Sequence, residues 1–238
     1  MVQRFNTAYT TGTATQSAEY DEGLRAYMLK VYNYMASAVL LTGIVAMMVS
    51  QNQDLMLSLF SGGTRWLVML APLAFVMVMS FGVHKMRSST LQMIFWAFAA
   101  TMGLSVSWIF VVYTDVSIAR TFFITAASFG ALSLYGYTTK KSLSGMGTFL
   151  FMGLIGIIIA SIVNIFVASS MMSFIISVAG VLIFAGLTAY DTQRIKESYA
   201  MMASGEAVAK GAIMGAVNLY LDFVNLFMFL LHFLGNRE

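Results

Sequence analysis

Forty-nine consecutive residues, 142–190, contain no Asp, Glu, Lys or Arg. A helix in a water-soluble domain keeps one polar, solvated face, and a run of this length without charge does not supply one. With a rise of about 1.5 Å per residue and about 30 Å of hydrocarbon to cross, the run is more than twice as long as one membrane passage. It must therefore hold two spans, and the turn is expected at Ala168, Ser169 and Ser170. Five other intervals have single-span length: 31–53, 66–83, 88–114, 121–139 and 211–236, the last interrupted only by Asp222. The expected fold is an all-α integral membrane protein with seven transmembrane helices.

Composition agrees, with 59% hydrophobic residues, 10% charged residues and a mean hydropathy of +0.81. The absence of cysteine excludes disulfides, thiolate zinc sites and thiol nucleophiles. The net charge of +3 comes from basic residues at span ends, where membrane orientation accounts for them, so no nucleic-acid partner is expected. The polar start, acidic at Glu19, Asp21 and Glu22, is unlike a cleavable signal. Residues 1–20 are expected to form a disordered cytoplasmic tail and residues 21–238 the seven-helix domain.

Ten basic residues (Arg4, Arg25, Lys30, Lys85, Arg87, Lys140, Lys141, Arg194, Lys196 and Lys210) fall on one side of the expected topology, and three (Arg65, Arg120 and Arg237) on the other. The positive-inside rule then puts the N-terminus in the cytoplasm and the C-terminus outside. Pro72, inside the second span, removes one backbone donor and favours a kink there.

Asp222 lies deep in the last apolar run. A carboxylate at the centre of a membrane helix costs about 3 kcal/mol, so it is expected to face a bundle interior or a wet cavity. Gly211, Gly215, Asn218, Asp222, Asn225, Phe229 and His232 recur at steps of four and three, which puts them on one helical face. Small residues on that face permit close helix approach, and the amides and carboxylate need partners that lipid cannot offer. The bland reading of Asn218 and Asn225 is a polar packing stripe. His232 reads as an interfacial histidine.

Asp191 has two readings. It pairs with Arg194 at i+3 on a wet helix end, or it turns inward along the face of Thr188 and approaches Asp222. Contact requires the sixth helix to continue to about Glu197, or the seventh to begin after Gly211. Two carboxylates meeting at low dielectric do not both ionise cheaply, so the pair would share a proton. It would also form a weak Ca²⁺ site, with Asn218, Asn225 and Thr188 as neutral oxygens. His84, Lys85 and Arg87 close the second span, and one of them could act as a basic latch on the pair.

The strings GLTAYDTQ (186–193) and LYLDFVNLF (219–227), with LRAYMLKVYNYM from Leu24 and SLYGYTTKKSLSG from Ser133, resemble the signature segments of the transmembrane Bax inhibitor motif family. The likeness extends over roughly residues 24–235 and is strongest to the proteobacterial inner-membrane members. It implies a central seventh helix between two three-helix layers and a proton-sensitive Ca²⁺ leak, with Asp191 and Asp222 as the controlling pair. Some bacterial relatives that modulate a membrane-bound protease lack this pair, whereas this chain has both residues.

The expectation is a pH-sensitive Ca²⁺ leak of the inner membrane, with Ca²⁺, protons and the bilayer as partners. No cofactor and no enzymatic activity are expected. The alternative is a regulatory protein that binds a membrane protease or another membrane complex. A third reading, an intramembrane acid protease using the two Asp residues, has no support in the resemblance.

Overall fold

The computed structural model describes residues 3–236, with side chains from residue 19 onward. Its helices are α1 (Gln3–Ser50), α2 (Gln53–Phe60), α3 (Thr64–Gly82), α4 (Ser88–Val106), α5 (Ile109–Val112), α6 (Asp115–Thr138), α7 (Ser144–Val167), α8 (Ser170–Ser198) and α9 (Gly205–Leu234). Among the described residues there is no strand. Among the described residues, seven helical segments are long and apolar enough to cross a membrane: Glu19–Ser50, Thr64–Gly82, Ser88–Val112, Asp115–Thr138, Ser144–Val167, Ser170–Met201 and Gly205–Leu234.

The division of the long charge-free run falls where the sequence placed it. Ala168 ends α7 in the left-handed conformation at φ 51°, and the Ser169 side chain accepts the Met172 N–H at 3.3 Å to start α8. Asn164 clasps the turn, accepting the Ser169 N–H at 3.1 Å and donating to the Ser173 hydroxyl at 2.7 Å. These contacts satisfy backbone groups that a helix end otherwise leaves open.

Several helices run past the boundaries drawn from charge. The helix of the first span continues N-terminal of residue 31 without a break, with Arg25 and Lys30 on exposed positions of it. Residues 3–20, expected as a disordered tail, carry on α1 as helix; extending an existing helix adds a hydrogen bond for each residue fixed. Met1, Val2, Arg237 and Glu238 lie outside the described residues. α9 starts at Gly205, where Ser204 caps it by accepting the Ala207 N–H at 3.2 Å. Glu206 in its first turn accepts the Ser88 N–H at 2.6 Å and the Ser88 hydroxyl at 2.9 Å, so it also caps α4.

α9 is the centre of the bundle. Just over half of its apolar window, 56%, is buried, against 11–33% for the other six segments. α1, α3 and α4 pack together on one side of it, α6, α7 and α8 on the other, and α9 touches both sets. This is the expected seven-helix arrangement with the last helix in the middle.

Apolar burial gives helices little reason to associate in lipid, so close approach and interhelical hydrogen bonds carry more of the bundle's cohesion. Both are present. A Cβ on Gly136 of α6 would run into the Ala189 carbonyl of α8, and one on Gly215 of α9 would meet Ile195 at 3.1 Å and Val31 at 3.4 Å. On the opposite face of α9 the buried Tyr220 hydroxyl lies 2.6 Å from the Thr42 hydroxyl of α1, which donates to the Ala99 carbonyl of α4 at 2.8 Å. The only proton of Thr42 is thereby used, so Tyr220 is the donor in this chain.

Candidate functional site

Local contacts fix the rotation of α8 and hence the direction of Asp191. Thr188 and Thr192 are fully buried, and the Thr192 hydroxyl reaches Ser133 of α6 at 3.3 Å. Gln193, also buried, accepts the Leu143 N–H at 2.7 Å and donates to the Lys141 carbonyl at 2.9 Å, clamping the α6–α7 connection. With Thr192 committed to α6 and Gln193 to the α6–α7 connection, Tyr190, Asp191 and Arg194 face a cavity of about 800 Å³ between α7, α8 and α9. α7 does not pack closely on α9, and the cavity fills the gap between them.

α9 contributes Asn218, Asp222, Asn225 and Phe229 to the same cavity, which are members of the stripe read from the sequence. Asp222 is 4% exposed. Its carboxyl meets that of Asp191 across the α8–α9 contact, within reach of a side-chain hydrogen bond. Asp222 Oδ2 is buried with no donor among the described residues, and two carboxylates are both acceptors, so a hydrogen bond between the pair requires a proton on one of them. The geometric condition set by the sequence is met because α8 continues to Ser198, which lowers Asp191 into the bundle beside α9.

The two readings of Asp191 prove compatible. Its Oδ1 also lies 3.2 Å from the Arg194 guanidinium, which is 53% exposed. The result is a chain of groups, Asp222 to Asp191 to Arg194, running from the buried centre to a wet edge. Arg194 further stacks over the Tyr190 ring at 5.8 Å, and that ring covers Gly147 of α7.

Two expectations are corrected. Thr188 does not line the cavity: it is fully buried, and its hydroxyl donates to the Phe184 carbonyl at 2.8 Å. The basic group at the carboxyl pair is Arg194, whereas His84, Lys85 and Arg87 are not among the residues of the cavity. They lie in the α3–α4 connection, which α9 separates from α7 and α8; His84 lines a different pocket with Glu206 and Lys210. The signal for Arg194 was its i+3 spacing from Asp191, which the sequence treated as an alternative to an inward carboxylate. His232 is exposed near the end of α9, with Nδ1 3.2 Å from the Met228 carbonyl.

As a cation site the arrangement is sparse. Among the described residues no three His, Cys, Asp or Glu side chains gather. The cavity offers two carboxyl groups and the amides of Asn218 and Asn225; Asn225 donates to the Leu221 carbonyl at 2.8 Å, which leaves its own oxygen available. Tight Ca²⁺ sites use six to eight oxygens, and here Arg194 already competes for Asp191.

The sequence model described as "Inhibitor of apoptosis-promoting Bax1" matches residues 24–238. The chain is 48% identical over 229 residues to the uncharacterized protein RP147 of Rickettsia prowazekii, covering 96% of this chain and 97% of that one. It is 44% identical over 219 residues to the inner membrane protein YbhL of Escherichia coli K12, covering 91% of this chain and 94% of YbhL. A membrane protein of Streptococcus pyogenes, SpyM3_0260, is 34% identical over 220 residues, or 92% of this chain and 96% of the relative. Six apolar helices around a buried seventh, and a family match across nearly the whole length, lead to one conclusion: the chain is a membrane protein that belongs to the Bax inhibitor family.

Proposed function

We propose that this protein is a pH-sensitive leak for Ca²⁺ in the cytoplasmic membrane, closed when one proton is shared by Asp191 and Asp222. The observation that carries this reading is the meeting of the two carboxyl groups from adjacent helices at the floor of a cavity. A shared proton turns two mutually repelling acceptors into a hydrogen-bonded pair and holds α9 against α8. Loss of that proton leaves two negative charges in contact at low dielectric, and their repulsion favours a conformer in which they separate. The sign follows: protonation keeps the bundle packed, and flux rises as pH rises and the proton leaves. Freed carboxylates and the Asn218 and Asn225 oxygens then give Ca²⁺ a weak stepping site between helices. The distribution of basic residues supports an N-terminus in the cytoplasm, which opens the Asp191 end of the cavity to that side.

Purified protein in liposomes holding a Ca²⁺ indicator tests this across a pH series. The wild type should show Ca²⁺ entry that increases with pH. Asp191→Asn, Asp222→Asn and the double variant should all show the same flat profile, because any one substitution abolishes the shared proton. A double variant with the wild-type profile refutes the mechanism. Ion-tight liposomes, with a membrane protein that copurifies from native membranes, would favour the regulatory alternative.

A further inference from the structure

On the side of the bundle away from the carboxyl pair, α1 and α6 do not close on each other. α9 lies behind the seam they leave. Two pockets lie along this seam and share Phe129. The first, of about 510 Å³, begins at Arg25 and Tyr137 and runs past Tyr32 and Gly130. The second, of about 240 Å³, continues past Leu40 and Phe122 to Phe223 of α9. Phe223 packs edge-on against Phe122 and Phe129, with ring centroids 5.7 and 5.5 Å apart, so the floor of the second half is aromatic.

The groove has a polar mouth and an apolar length. Arg25 is exposed and enters no ion pair among the described residues. Lys196 reaches the same mouth, with Nζ donating to the Tyr137 carbonyl at 2.7 Å and lying 5.5 Å from the Tyr137 ring. Along α1 the distance from Arg25 to Leu40 is about 22 Å at the helical rise. That matches the hydrocarbon of one leaflet, about 15 Å, plus its headgroup layer. Gly130 keeps the groove open: a Cβ built there meets nothing within 4 Å.

We infer that the α1–α6 groove is a binding site for an anionic glycerophospholipid, with its phosphate on Arg25 and one acyl chain lying over Phe129 toward Phe122 and Phe223. Charge complementarity selects the headgroup, since a guanidinium pairs with a phosphate through parallel N–H donors and a zwitterionic lipid brings its own cation. The bilayer supplies the ligand at high local concentration, and the length of the groove selects a chain that enters from the Arg25 leaflet. The bound chain would fill the seam between the two three-helix layers, so it would stiffen the bundle opposite the cavity of the carboxyl pair.

The test uses full-length protein in mild detergent with equimolar phosphatidylglycerol and phosphatidylcholine of identical acyl chains, with retained lipid read by native mass spectrometry. The wild type should prefer phosphatidylglycerol by about fivefold, the effect of one basic residue on an anionic headgroup. Arg25→Gln should bring the two lipids to equal retention. Gly130→Leu starts from a Cβ position with nothing within 4 Å and puts a side chain into the groove, so it should lower retention of both lipids by more than half. Equal retention by the wild type, an unchanged preference in Arg25→Gln, or unchanged retention in Gly130→Leu would each overturn the site. If one variant does not fold, the other decides alone.

Discussion

One methyl group at Gly136 should loosen the bundle at the place that positions Asp191. A Cβ there would run into the carbonyl oxygen of Ala189 and stand 3.0 Å from its C and Cα. These are backbone atoms of α8, two positions before Asp191, so no flexible side chain can move aside and the helices themselves must part. Overpacking of this kind costs about 1–3 kcal/mol. Gly→Ala in a helix also gains up to about 1 kcal/mol of intrinsic propensity, which would mask part of the loss. Gly130→Ala on the same helix supplies the reference, because its Cβ meets nothing within 4 Å. The propensity gain largely cancels between the two variants, and Gly136→Ala should be less stable than Gly130→Ala by about 1–3 kcal/mol. Unfolding in mixed micelles titrated with a denaturing detergent, followed by helicity, measures the difference. Stabilities equal to within about 0.5 kcal/mol would show that α6 and α8 do not touch backbone to backbone at this point.

Arg194→Gln removes the cation beside Asp191, which favours the shared proton, so the pH midpoint of Ca²⁺ flux should move upward. Because Arg194 is half exposed, the move should be under about one pH unit; a downward move contradicts the proposed sign. In the buried chain Tyr220 to Thr42 to Ala99, Tyr220→Phe deletes a donor and should cost about 1 kcal/mol in the same unfolding assay. Thr42→Val strands the Tyr220 hydroxyl and should cost more, about 2 kcal/mol; the reverse order would refute the donor assignment. A reporter active only in the cytoplasm should be silent when fused after Glu238 and active before Met1, and the opposite pattern would invert the topology.

Span number was legible because hydrocarbon imposes a length: a charge-free run of 49 residues has no single-helix solution, and its division at Ala168 lay among the short polar residues that cap helix ends. The central place of α9 was legible from Asp222 and the polar stripe, since those groups need partners that lipid lacks. Helix ends were less legible, because charge marks where hydropathy falls and not where hydrogen bonding stops. Glu206 and Lys210 lie inside α9, and Arg25 and Lys30 inside α1. The basic partner of the carboxyl pair could not be found by loop position. His84, Lys85 and Arg87 lie on the wrong side of α9, beside its first turns, a matter of placement around the bundle axis that no hydropathy profile encodes. Arg194 was visible by spacing, but a carboxylate that serves both a guanidinium and another carboxyl was treated as a choice between two. Thr188 was misplaced for a similar reason: sharing a face with Asp191 by period does not say which positions open to the cavity, and Thr188 is buried outside it, with its hydroxyl spent on the Phe184 carbonyl.

α7 is joined to α8 by only Ala168 and Ser169, with Asn164 bonded across the bend, whereas its other end follows the longer strand of chain at 139–143. The other end is pinned too, because Gln193 of α8 accepts the Leu143 N–H and donates to the Lys141 carbonyl. A helix fastened to its neighbour at both ends can roll or bow but not swing aside. Any widening of the cavity would therefore open the α7–α9 gap along its middle, and side chains rather than whole helices would have to clear its two ends.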